Sequence, residues 1–113
     1  MITRLAGSNP TRSRAAIYEN LVFTVAVAPD KVDSYYEQTK QALVAIDTNL
    51  AEAGTDKSRI LTTFVYIADM AQKAEMDRAW GEWVDRTNPP MRACLGVTLE
   101  GKDLVEIVVT AAK

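Results

Sequence analysis

Two early runs of this chain, Ala15 to Tyr18 and Leu21 to Val27, are almost wholly apolar, with the polar Glu19-Asn20 between them. Short apolar, β-prone runs mark strands, and the short polar break predicts a hairpin. Pro29-Asp30 ends the second strand and opens a helix, in which Val32, Tyr35, Tyr36, Thr39, Leu43, Ile46, Leu50 and Ala53 recur at helical spacing up to Gly54. The rhythm predicts an amphipathic helix of about 20 residues with its inner face on a sheet. Ile60 to Ile67 is β-branched and aromatic, hence a buried strand. Asp69, with Gln72 three residues on, fits an N-cap and its capping-box partner. A second helix follows, with Met76, Trp80, Trp83 and Val84 as its stripe and Asn88 before Pro89-Pro90 as its end.

Two further apolar runs, Met91 to Val97 and Leu104 to Val109, flank the polar break Glu100-Gly101-Lys102-Asp103 and predict a closing hairpin. A short extra strand is expected near Thr3 to Leu5. The order ββ-α-β-α-ββ predicts one α+β domain over residues 1–113, a mixed sheet with two helices on one face. Two helices leave the second face bare, although Phe23, Val25, Val27, Leu95 and Val97 supply the strands with apolar side chains. An oligomer that buries that face resolves the conflict.

Each run of the last pair carries one charge where a core residue is expected, Arg92 in one and Glu106 in the other. Buried charges are costly without partners. Alternation puts Arg92, Cys94 and Gly96 on one side of their strand. A turn centred near Gly101 sets Glu106 opposite the neighbourhood of Gly96 on that same side, where Gly96 leaves space for a ligand, and a register shifted by one residue reverses the assignment. Arginine suits a carboxylate because its planar fork offers two parallel donors, and a glutamate accepts a proton or orients a water. The same residues also read as a structural ion pair across two strands, or as a bridge between subunits. Asp77 borders the stripe of the second helix and either caps a backbone group or reaches a cavity beneath it.

Composition removes most other chemistry. With 113 residues, 48% apolar and 25% charged, the chain has the size and mixture of one soluble domain. It has no histidine and one cysteine, so triads, Cys-His dyads and His- or Cys-built zinc sites lack their parts. Cys94 has no histidine to activate it and reads as a pocket wall. The net charge is −2 with the 13 basic residues scattered, which disfavours a nucleic-acid partner. No segment approaches membrane-spanning length and the N-terminus has no signal-like apolar region, so a cytoplasmic protein is the expectation.

Pro90-Met91-Arg92-Ala93-Cys94 resembles the Pro-x-Arg-x-Cys strand of the RidA, or YjgF-like, family of reactive enamine/imine deaminases. Glu106-Ile107 resembles that family's terminal Glu-Ile strand. Further echoes are Asn20 to Thr24, Gln38-Thr39, Leu50 to Gly54 and Ile67 to Met70, and Trp80-Gly81-Glu82-Trp83 is similar to a YoaB-like branch. The resemblance implies a chorismate-mutase-like fold assembled as a homotrimer with clefts between subunits. It implies that Arg92 binds the carboxylate of a 2-imino acid, Glu106 positions the attacking water, and Cys94 contributes to the cleft. The products implied are a 2-oxo acid and ammonia, with no metal or organic cofactor. The pattern also departs from the family: Val25-Ala26-Val27 stands where a Ser-Gly-Gln is usual, Asp77 stands at the substrate-binding place of an asparagine and so brings negative charge toward an acidic substrate, and Arg12 or Ser13 falls near the place of a tyrosine. These departures favour an alternative, a trimeric 2-oxo acid binding protein without efficient turnover.

Overall fold

A computed structural model describes residues 1–113. Six strands form one sheet: β1 Ile2–Ala6, β2 Ser13–Tyr18, β3 Leu21–Val27, β4 Ile60–Ile67, β5 Met91–Gly96 and β6 Val105–Ala112. Two helices, α1 Tyr35–Glu52 and α2 Lys73–Trp83, pack on one face. The sheet runs β1-β2-β3-β6-β4-β5, antiparallel throughout except for the parallel pair β4–β5. The α+β sandwich expected from the sequence is therefore present, with the extra N-terminal strand.

Local chemistry sets the element ends. The β2–β3 hairpin turns at Glu19, whose φ of 52° is left-handed. The first helix starts later than Pro29-Asp30 suggests, because Ser34 is its N-cap and accepts from the Glu37 N–H at 3.1 Å. It ends at a glycine in left-handed geometry: Gly54 has φ 88°, its N–H reaches Ala51 O at 3.1 Å, and the Thr55 N–H reaches Leu50 O at 2.9 Å. That pair of bonds is the Schellman arrangement. Asp69 caps as expected, accepting from the Ala71 N–H at 3.0 Å, but it opens a 3₁₀ turn that runs into α2. The second helix stops at Trp83 rather than Asn88, since Val84 turns extended and Asp85 takes the Thr87 and Asn88 N–H groups.

The closing hairpin is not formed. β4 lies between β5 and β6, and the connection from β5 to β6 crosses the end of β4. The Val97 N–H bonds to Ile67 O at 3.0 Å and the Ala68 N–H to Leu104 O at 2.9 Å, which fastens both ends of that crossing. The physical reason lies in the strand–helix–strand unit β4-α2-β5. A crossover helix returns the chain parallel to its first strand and beside it, so β5 takes one edge of β4 and leaves the other to β6.

The core sits between sheet and helices. Leu43, Ile46 and Leu50 of α1 and Met76 of α2 meet Val65, Ile67, Val105, Ile107 and Val109, all at most 1% exposed. Gln38 is wholly buried and is held by three bonds: its amide donates to Val32 O and Lys102 O, and its carbonyl accepts from the Leu104 N–H. It thereby fastens α1 to the loop that precedes β6. The opposite face has no helix. Leu21, Phe23 and Val25 of β3, Phe64 of β4 and Leu95 of β5 are 36–44% exposed there.

Candidate functional site

Arg92 and Cys94 stand on the edge strand β5, paired in register with Thr63 and Val65 of β4. Val65 is buried beneath the helices, so Arg92 and Cys94 share the helix-covered face. The Arg92 side chain runs along α2. Its Nη2 lies 2.8 Å from Asp77 Oδ1, its Nη1 lies 3.5 Å from Met76 Sδ, and its guanidinium carbon is 5.3 Å from the Trp80 ring centre. The Asp77 Oδ1 atom is buried, and its short ion pair with Arg92 is less well aligned than the bond that Lys73 makes to the other oxygen. Its other oxygen accepts from Lys73 Nζ at 2.8 Å.

Two opposing influences act on the Asp77 carboxyl. Burial pushes its pKa up, but hydrogen bonds and charge from Lys73 and Arg92 outweigh that and leave it below the usual carboxylate range. Burial pushes the Cys94 thiol up, against the opposing charges of Arg92 and Lys73. Cys94 also packs against the core, which fits a wall residue rather than a nucleophile.

Glu106 stands elsewhere. It is paired with Tyr66 of β4 on one side and Val27 of β3 on the other, between the buried Val105 and Ile107. Its side chain is therefore on the face away from the helices. It lines a cleft of about 300 Å³ with Arg12, Val25, Ala26, Val27, Glu100 and Asp103. Arg12 and the Val25–Val27 segment also wall an adjoining cavity of about 420 Å³ that reaches Asn49.

The expectation that Arg92, Cys94 and Glu106 share one face is thus overturned. Arg92 and Cys94 share the helix-covered face of β5, whereas Glu106 lies two strands over on the opposite face, its backbone about 14 Å from that of Arg92 by strand spacing and rise. Through Tyr66 of β4 the register aligns Glu106 with Leu95 rather than Gly96, one residue off the hairpin expectation, and that reverses its face. Beside Gly96 lies the Met70 side chain, which a Cβ at that position would meet at an ordinary contact distance of 3.6 Å. The partner of Arg92 is Asp77, not Glu106. The residue that sequence reasoning missed is Lys73. Its only signal was the helical spacing of four to Asp77. No group of three or more carboxylate or thiol side chains is arranged to hold a metal ion. No helix is long and apolar enough to cross a membrane.

Comparison with known proteins adds an independent finding. Residues 8–113 match the family profile described as Endoribonuclease L-PSP. A RutC family protein of Haemophilus ducreyi is 46% identical over 99% of this chain and 97% of its own length. The RutC family protein YoaB of Escherichia coli is 34% identical over 88% of this chain and 89% of its own. Among solved structures, NMB1025 of Neisseria meningitidis, a member of the YjgF protein family, superposes with a TM-score of 0.94 at 36% identity. That match covers 100% of this chain and 95% of the other.

Proposed function

The chain belongs to the L-PSP family, that of the YjgF, RidA and RutC proteins, and from that premise we propose that it hydrolyses reactive 2-imino acids and their enamine tautomers. The observation that carries the reading is the setting of Arg92. Its guanidinium lies over an indole face on an edge strand, with Nη1 donating to no more than a thioether. A thioether is a weak acceptor, so a carboxylate there gains a donor that is barely engaged.

The reaction adds water across a C=N bond. The water oxygen bonds to the imine carbon and one water proton passes to nitrogen; the carbinolamine hydroxyl then gives its proton to nitrogen as the C=O bond forms and the C–N bond breaks, which releases ammonia. Glu106 accepts the water's proton and returns it to the departing nitrogen. Arg92 holds the substrate's carboxylate and so fixes the imine carbon relative to that water.

Arg92 and Glu106 of one chain stand on opposite faces, so a site using both takes them from two copies. The apolar residues on the bare face, Phe23, Val25 and Phe64 among them, supply the contact that brings the copies together, and a homotrimer closes the set. Arg92 and Cys94 then come from one copy and Glu106, with the Val25–Val27 wall, from its neighbour.

The test couples an L-amino-acid oxidase, which makes 2-imino acids in situ, to detection of free ammonia. The wild-type chain accelerates ammonia release above the spontaneous rate, and Arg92→Ala lowers that acceleration about 10- to 100-fold, the worth of one charge-assisted contact. A wild-type rate equal to the spontaneous one for several amino acids refutes the enzyme reading.

A second reading is a binding protein for 2-oxo acids without efficient turnover. It is favoured by the occupation of Arg92 by Asp77 and by the apolar Val25 and Ala26 beside Glu106. Calorimetric binding of 2-oxobutyrate without any ammonia release decides for it. The family description also names a ribonuclease. A net charge of −2 gives no general attraction to phosphate, and RNA binding at low salt, where such contacts are strongest, is the measurement that would revive it.

A further inference from the structure

The charged cluster on α2 and β5 is unbalanced. Lys73 and Arg92, both cationic, converge on the single carboxylate of Asp77, each at 2.8 Å and each on a different oxygen. All three stay reachable by solvent, with side-chain exposures of 41% for Lys73, 38% for Asp77 and 20% for Arg92. The set carries one positive charge more than it neutralises. The guanidinium keeps one terminal nitrogen against a thioether and its plane near an indole.

A buried structural ion pair ordinarily satisfies its carboxylate with directed hydrogen bonds. Here the oxygen facing Arg92 is less well aligned with its donor than the oxygen facing Lys73. The two halves of the cluster therefore differ. Lys73–Asp77 is a directed bond within one helix at a spacing of four residues. Asp77–Arg92 is a contact of the same length, 2.8 Å, that joins a helix to an edge strand.

We propose that Asp77 stands in for a ligand's carboxylate in the empty chain: it parks Arg92, is exchanged for the incoming carboxylate while Lys73 retains it, and so sets the affinity of the site. This rests on Arg92 being the carboxylate-binding residue proposed above. Asp77 acts here as a positioning residue that competes with the ligand rather than touching it. Lys73 controls that competition, because its charge draws Asp77 away from Arg92 and offsets the repulsion between Asp77 and the ligand. A neutral residue at position 77 strengthens binding, and loss of the Lys73 charge weakens it.

Those opposite signs provide the test. Calorimetry with 2-oxobutyrate is run on wild type, Asp77→Asn, Asp77→Glu, Lys73→Met, Arg92→Ala and the double variant Asp77→Asn/Arg92→Ala, with urea unfolding of each to establish that it folds. Removing a like charge beside the ligand tightens binding about tenfold in Asp77→Asn, and losing the Lys73 charge weakens it by about threefold or more. Asp77→Glu stays near wild type. The double variant loses the gain, because that gain acts through Arg92. Asp77→Ser serves as a second neutral variant if the asparagine form fails to fold.

A cluster that merely stabilises the fold moves Asp77→Asn and Lys73→Met in the same direction, and that result overturns the proposal. So does unchanged or weaker binding in both neutral variants while Arg92→Ala still abolishes binding, an outcome that leaves the reading of Arg92 standing. Absence of binding in every variant, wild type included, overturns both.

Discussion

Gln38→Met is the substitution that most directly tests how the loop before Glu106 is held. The side chain is wholly buried and makes three hydrogen bonds, to Val32 O at 2.9 Å, to Lys102 O at 3.0 Å and from the Leu104 N–H at 3.0 Å. Methionine nearly conserves the volume, so the change removes polar partners without opening a large cavity. Each lost bond costs about 1 kcal/mol, and three together cost about 3 kcal/mol. Urea unfolding followed by Trp80 and Trp83 fluorescence, at one fixed protein concentration, reads that cost. With a slope of about 1.5 kcal/mol per molar urea, the midpoint falls by about 2 M. The loss has a local consequence too: Leu104 loses its tie to α1, and Glu106 is two residues further on. Amide exchange at Leu104 and in the Val97–Leu104 crossing therefore accelerates more than exchange at Ile46. A cost below about 1 kcal/mol, or uniform exchange, refutes the assignment of Gln38 as the anchor.

Other consequences can be measured independently. Gly54→Ala places a side chain at φ 88° and lowers stability by about 1–2 kcal/mol, read as a urea midpoint shift. Asp56 is held below the usual carboxylate range by hydrogen bonds from Ser58, Asp85 by those from Asn88 and Thr87, and Asp77 by its cationic partners against burial. Depressed folded values mean that their stabilisation is present above about pH 4, the unfolded value, and is lost as pH falls through the lower folded ones. The midpoint of a variant with Asn at all three positions accordingly falls less steeply below pH 4. The Cys94 thiol, pushed up by burial, reacts with an aromatic disulfide more slowly than free cysteine at pH 8; an equal or faster rate contradicts its placement. Phe23→Asp together with Phe64→Asp leaves the core untouched, since both side chains lie on the bare face at 44% and 42% exposure. Sedimentation then shows a smaller species than wild type, and equal mass for both removes that face as the contact between copies.

Much of the architecture was legible because short-range chemistry dictates it. The β-prone run from Leu21 to Val27, the helical rhythm from Tyr35 to Leu50 and the cap at Asp69 each express a local preference that packing did not override. The helix start was misplaced because Ser34, with Glu37 three residues later, is the stronger cap than Pro29-Asp30. The closing hairpin failed for a non-local reason. Met91–Gly96 and Val105–Ala112 look like neighbours along the chain, but the crossover through α2 puts β5 beside β4 and sends β6 to the other side.

Arg92 and Glu106 mark that boundary. By itself the sequence determined that both are charges set in apolar strands, that Cys94 accompanies the arginine, and that the family resemblance runs through these positions. Strand alternation acts over two residues and needs no knowledge of the rest of the chain. Only the tertiary structure decided that Arg92 is held by Asp77 and Lys73 on the helix side while Glu106 opens onto the bare side. Facing is inherited through every intervening strand, and one strand inserted between two others changes which residues meet. That is a property of the sheet as a whole, which no window of the sequence contains.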